Sequence, residues 1–134
     1  MQADPRHWLR RLAPDRVQFQ VILGSLLGDG VILGGPFERR LRITHAVGRA
    51  DYVWWKYDRL GPLAADAPVE HDGRLCFATI AHPLFDDLAT LPRRRLLELV
   101  APLGLAVWMT DVGRLELRAD AFLPAQRAVA LSVG

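Results

Sequence analysis

Val17-Gln-Phe-Gln-Val-Ile-Leu-Gly-Ser-Leu-Leu-Gly-Asp-Gly30 reads as a buried helix ending in one carboxylate, Asp29, held between two glycines. The apolar residues Val17, Val21, Leu23 or Gly24, and Leu27 recur at helical spacing, and no proline interrupts them. Gly24 and Gly28 share a helix face and leave a flat stripe on which another helix backbone can pack closely. Gly30 is expected to stop the helix in the left-handed conformation. That puts Asp29 in the last turn, where the helix dipole disfavours an anion. A bound cation would explain a carboxylate placed there. A solvated turn aspartate in a helix-Asp-Gly-strand connection is the alternative.

Upstream of this helix, residues 4–13 carry an amphipathic pattern, with Asp4 as N-cap, Pro5 in the first turn and Trp8, Leu9 and Leu12 on one face. Pro14 ends it and Asp15 can cap the main helix. Downstream, Val31 to Leu33 reads as a strand and Gly34-Gly35-Pro36 as a turn. Glu38 to Ala46 reads as a second strand, with Leu41 and Ile43 on one face and Arg40, Arg42 and Thr44 on the other. One face suits a core; the other suits an anion or simply solvent. Arg49 to Leu60 returns to helical period. A second hairpin, Val69 to His71 and Arg74 to Ile80, turns at Asp72-Gly73, a strong hairpin signal. A short helix runs from Leu84 to Leu91, and an apolar helical stretch follows from Leu96.

A second apolar helix, Pro102 to Asp111, again stops at a glycine, Gly113. Arg114 to Arg118 alternates as a strand, and Leu123 to Val133 reads as a helix. The order predicts an α+β protein, an αββαββα unit followed by an incomplete second copy with a period of about 80 residues. The expected organisation is an N-terminal helical extension over 1–14, a first repeat over 15–101, and a second signature helix with a truncated repeat over 102–134.

The chain has 134 residues and a net charge of +2, enough for one domain with a modest core. Lys56 is its only lysine, so the positive charge is carried by arginine. Arginine suits bidentate contacts with phosphate and guanine, although a GC-rich coding sequence enriches it too. The lone Cys76 rules out a disulfide framework or a cysteine metal site, and the four histidines show no metal-ligand spacing. Early charges at Asp4, Arg6, Arg10 and Arg11 break any signal-peptide core. The uncharged run from Val17 to Gly28 is too short to span a bilayer. A cytoplasmic protein with no membrane partner is expected.

The run Ile22-Leu-Gly-Ser-Leu-Leu-Gly-Asp-Gly30 resembles the signature helix of LAGLIDADG homing endonucleases, in the LLGDG form of one branch. Asp51-Tyr-Val-Trp-Trp-Lys56 resembles the helix after the first hairpin, and His82-Pro83-Leu-Phe85 the short helix before the second signature. Leu105-Ala-Val-Trp-Met-Thr-Asp-Val-Gly113 is similar to that branch's second signature, LAIWYMDDG. A lone Gly-Asp-Gly would carry little weight, but these matches come in order over roughly residues 17–122.

The resemblance implies a saddle of strands over duplex DNA, with two signature helices packed side by side beneath it. It implies Asp29 as a catalytic, metal-binding acid, with Mg²⁺ or Mn²⁺ as cofactor. It also implies Gly24, Gly28 and Ala106 at the helix interface, and DNA contacts by Arg39, Arg40, Arg42, Thr44, Arg74, Arg114 and Arg118. The second signature departs from the pattern: Val112 stands where an acid belongs, and Asp111 is the only neighbouring candidate for a catalytic carboxylate. Three readings stay open: a site-specific endonuclease tied to an intron or intein, impaired by Val112; a DNA-binding module without catalysis; and an inactive mobile-element remnant. A homodimer through the first signature, or a C-terminal complement, would supply the missing acid.

Overall fold

A computed structural model describes residues 13–113. The elements run α1 (Arg16–Leu27), β1 (Val31–Leu33), β2 (Arg40–Ala46), α2 (Ala50–Leu60), β3 (Val69–His71), β4 (Arg74–Ala78), α3 (Pro83–Ala89), α4 (Arg93–Leu99) and α5 (Pro102–Asp111). The expected αββαββα order is present. The expected helix over 4–13, the strand Arg114 to Arg118 and the helix Leu123 to Val133 lie outside the described residues.

The start of α1 is fixed by Asp15. Its carboxylate accepts the Gln18 N–H at 2.8 Å, while Gln18 Oε1 accepts the Asp15 N–H at 2.9 Å. This reciprocal box satisfies two backbone donors that a helix start leaves without partners. The end differs from expectation. The helix stops at Leu27 with Gly28 as cap, and Gly30 does not adopt positive φ. Gly30 is required for a different reason: a Cβ there would lie 2.7 Å from the Ser25 carbonyl oxygen and 3.0 Å from Leu41 Cδ1. Asp29 therefore stands just beyond the helix, in a turn packed tightly on β2.

The four strands form one antiparallel sheet in the order β1-β2-β4-β3. In β2, Leu41, Ile43 and His45 are buried while Arg40 and Arg42 are exposed, the two-residue alternation of a half-buried strand. Register places Arg42 opposite Val31 and Ala78, Thr44 opposite Cys76, and Ala46 opposite Arg74. Those residues share the outer face. Asp72 and Gly73 both have positive φ, the type I′ geometry that the Asp-Gly pair favours. Beneath the inner face, Val21, Ile22, Leu23, Val53, Leu60, Phe77 and Phe85 form a continuous core.

Helix α1 packs along α5, and the glycine stripe makes that contact possible. A Cβ at Gly24 would lie 2.6 Å from Val107 Cβ, and one at Gly28 would lie 2.5 Å from Asp111 Cβ. Ala106, on α5, is buried. Gln20, a polar residue in an apolar helix, is explained by the α4–α5 connection: its Oε1 accepts the Ala101 N–H at 2.7 Å and its Nε2 donates to the Leu99 carbonyl at 3.2 Å. The C-terminus of α5 closes at Val112 and Gly113, whose φ of +77° is the expected left-handed stop. The three arginines at 93–95, expected ahead of a helix beginning at Leu96, belong to α4 itself.

Candidate functional site

On the outer face of the sheet, Asp29, Val31, Arg42, Thr44, His71, Arg74 and Cys76 line a groove of about 510 Å³. The packing of Gly30 on β2 brings the α1 terminus to this face, and the alternation of β2 and β4 turns Arg42, Thr44 and Arg74 toward it. The Asp29 side chain is 50% exposed. Burial, and then the Asp111 carboxylate, raise its carboxyl above the ordinary value, against the pull of Lys56, Arg49 and Arg74. A half-desolvated carboxylate beside a second acid favours a proton or a cation.

Asp111 is placed quite differently. Its side chain is fully buried. Oδ1 accepts the Tyr52 hydroxyl at 2.6 Å and Lys56 Nζ at 2.8 Å. Oδ2 accepts the backbone N–H of Asp29 at 3.0 Å. The lone lysine is itself completely buried; burial pushes its ammonium pKa down and Asp111 opposes that shift. Breaking such a pair by removing one partner costs about 3–5 kcal/mol. Asp111 does not reach the groove.

His45 lies buried between the two acids, with Nδ1 3.7 Å from Asp29 Oδ2 and Nε2 3.5 Å from Asp111 Oδ1. Lys56 Nζ is 3.2 Å from the same Nε2. Burial, and then Lys56, bring the His45 pKa down to about 4, so the ring is neutral at pH 7.

Of the other expected site residues, Arg39 faces away from the groove. It pairs with Asp86 at 3.5 Å, because it has the opposite strand parity from Arg40 and Arg42. Arg114 and Arg118 lie outside the described residues. Val112 is 45% exposed, caps α5, and is not among the residues lining the groove. The face of α1 bearing Gly24 and Gly28 is occupied by α5, so self-association through it would have to displace that helix.

Arg49, Tyr52, Lys56 and His45 were not expected here. Arg49 Nη2 donates to the Thr110 carbonyl and its guanidinium sits 5.0 Å from the Tyr52 ring. Tyr52 OH also reaches the Val107 carbonyl at 3.1 Å. Tyr52 and Lys56, four apart, share one face of α2, and Arg49 immediately precedes that helix. A single lysine in an apolar stretch was the available signal.

Among the described residues, no cluster of three or more histidine, cysteine or acidic side chains is arranged to hold a metal. No helix among them is long and apolar enough to cross a membrane. A divalent ion would have Asp29 as its one carboxylate, within the habit of Mg²⁺, which binds through one or two carboxylates with waters and substrate phosphates. The residues thus fit a single such ion and not a pair.

Comparison with known proteins gives a consistent picture. Residues 19–128 match the LAGLIDADG DNA endonuclease family. A protein RecA of Mycolicibacterium chitae is 32% identical over 116 residues, covering 75% of this chain and 27% of that protein. A protein RecA of Mycolicibacterium thermoresistibile is 34% identical over 100 residues, covering 72% and 20%. The chain spans about a quarter of the length of these curated relatives. A solved structure of the homing endonuclease I-WcaI bound to its DNA recognition sequence aligns with TM-score 0.56 and 16% identity, over 83% of this chain and 60% of that one.

Proposed function

We propose that this chain, which belongs to the LAGLIDADG DNA endonuclease family, lays the outer face of its sheet on duplex DNA with Asp29 toward a phosphate. One observation carries the reading: a half-exposed carboxylate at a helix terminus opens into a groove lined by Arg42, Arg74 and Thr44. Arg40 extends the basic face along β2. Arginines and hydroxyls of this kind hold phosphates in register, and their contacts with base edges supply sequence preference. A bound Mg²⁺ would polarise a phosphate oxygen and acidify an attacking water. Asp29 is the residue that would hold the ion, and Asp111 accepts its backbone N–H at 3.0 Å.

Among the described residues, Asp29 is the one acid lining the groove. Asp111 is taken up by Tyr52 and Lys56, and Val112 has no donor. The reaction this geometry favours is nicking of one strand. The same observation favours a second reading, a DNA-binding module without catalysis. Coverage of about a quarter of each RecA relative supports a mobile element carried in a longer reading frame. The test is selection of bound duplexes from a random library, followed by incubation of the selected site with Mg²⁺ or Mn²⁺. Sequence-specific retention supports the interface. Absence of any duplex preference at low salt overturns it.

A further inference from the structure

Asp111 and the face of α2 behind it serve no step in the proposed chemistry, yet they form the most completely satisfied buried polar cluster of the site. Asp111 Oδ2 accepts the Asp29 N–H across the α1–α5 interface. Its Oδ1 is held by two donors from α2, Tyr52 and Lys56. Arg49, the residue that precedes α2, holds the Thr110 carbonyl one residue earlier. The approach is close: the Asp111 Oδ2 lies 2.6 Å from where a Gly28 Cβ would be. A carboxylate fixed on both oxygens has little freedom, and it transmits that fixity to the turn it grips.

We infer that Asp111 is a positioning residue: anchored by Tyr52 and Lys56, it clamps the Gly28-Asp29 turn so that the Asp29 carboxylate is held ready for a divalent cation. This rests on the reading of Asp29 as the metal-facing acid. The second signature then keeps an acid for architecture at Asp111, whatever stands at Val112. Partners that orient a metal ligand are typically worth about 10–100-fold in metal affinity.

The experiment follows Mn²⁺ by paramagnetic broadening of the resonances of Asp29, Arg42 and Thr44 in the full chain. Two double variants keep the buried charge balanced. Asp111→Leu with Lys56→Met removes the acceptor for the Asp29 N–H, and Asp111→Asn with Lys56→Met retains an amide oxygen in its place. Mn²⁺ affinity should fall about tenfold or more in the leucine variant and stay within about twofold of native in the asparagine variant. Equal affinity in native and leucine proteins overturns the clamp and leaves the Asp29 reading intact. No localised Mn²⁺ in the native protein overturns both. Hydrogen exchange in the native chain tests the clamp without any substitution. The Asp29 amide should be protected, and exchange at the rate of an open turn overturns the clamp.

Discussion

The carboxylate of Asp111 holds the backbone amide of Asp29 at 3.0 Å, so the terminus of one signature helix is tied to the terminus of the other. Gly28 makes this possible, since any Cβ there would lie 2.5 Å from Asp111 Cβ. Gly28→Ala gains roughly 0.4–1 kcal/mol from a less flexible unfolded chain but overpacks the interface by about 1–3 kcal/mol. The clash wins. Denaturant unfolding should show net destabilisation, and an unchanged midpoint would mean that the helices do not approach so closely.

Arg40 and Arg42 are exposed on the outer face while Leu41 and Ile43 are buried. Replacing both arginines by alanine should weaken duplex binding. It should also reduce the slope of log K against log salt by about two, one per phosphate contact. A folded double variant with unchanged affinity and slope would remove the sheet from the interface. Arg39→Ala, which breaks a pair with Asp86, should leave the slope unchanged.

Stability should fall in mild acid because of His45. Its pKa is about 4 in the folded protein and about 6.5 when unfolded. Between those values the unfolded chain binds the extra proton, so stability is lost as pH drops from about 6.5 to about 4. The shift corresponds to an order of about 3 kcal/mol. Unfolding midpoints of native protein and His45→Gln between pH 7 and pH 4.5 isolate the contribution. Parallel curves would show that the ring is not buried neutral.

Cleavage should depend on Asp29 and improve with a second acid. With Mg²⁺ or Mn²⁺, the native chain is expected to nick a selected duplex weakly. Asp29→Asn should abolish nicking, and Val112→Asp should strengthen it. Robust double-strand cutting that survives Asp29→Asn would place the chemistry elsewhere.

Period and punctuation made much of this fold legible. The Asp15 cap, the alternation of β2, the Asp72-Gly73 turn and the Gly113 stop are each set by neighbours within a few residues, so local sequence carries them. The reason for Gly30 was hidden because a clash with the Ser25 carbonyl depends on how the turn folds back. Asp111 was the harder case. Its partners Tyr52 and Lys56 lie 59 and 55 residues away, and at Asp111 nothing local distinguishes a metal ligand from a buried clamp. The resemblance located the acids; only the fold assigned them different surroundings.

Val112 stands outside the core, on an exposed helix cap. A change there neither opens a cavity nor strands a buried charge, so folding is nearly blind to it. A valine codon such as GTC becomes the aspartate codon GAC by one base change. On this scaffold the second acid can be discarded and regained over a lineage's history without the protein ever passing through an unfoldable intermediate.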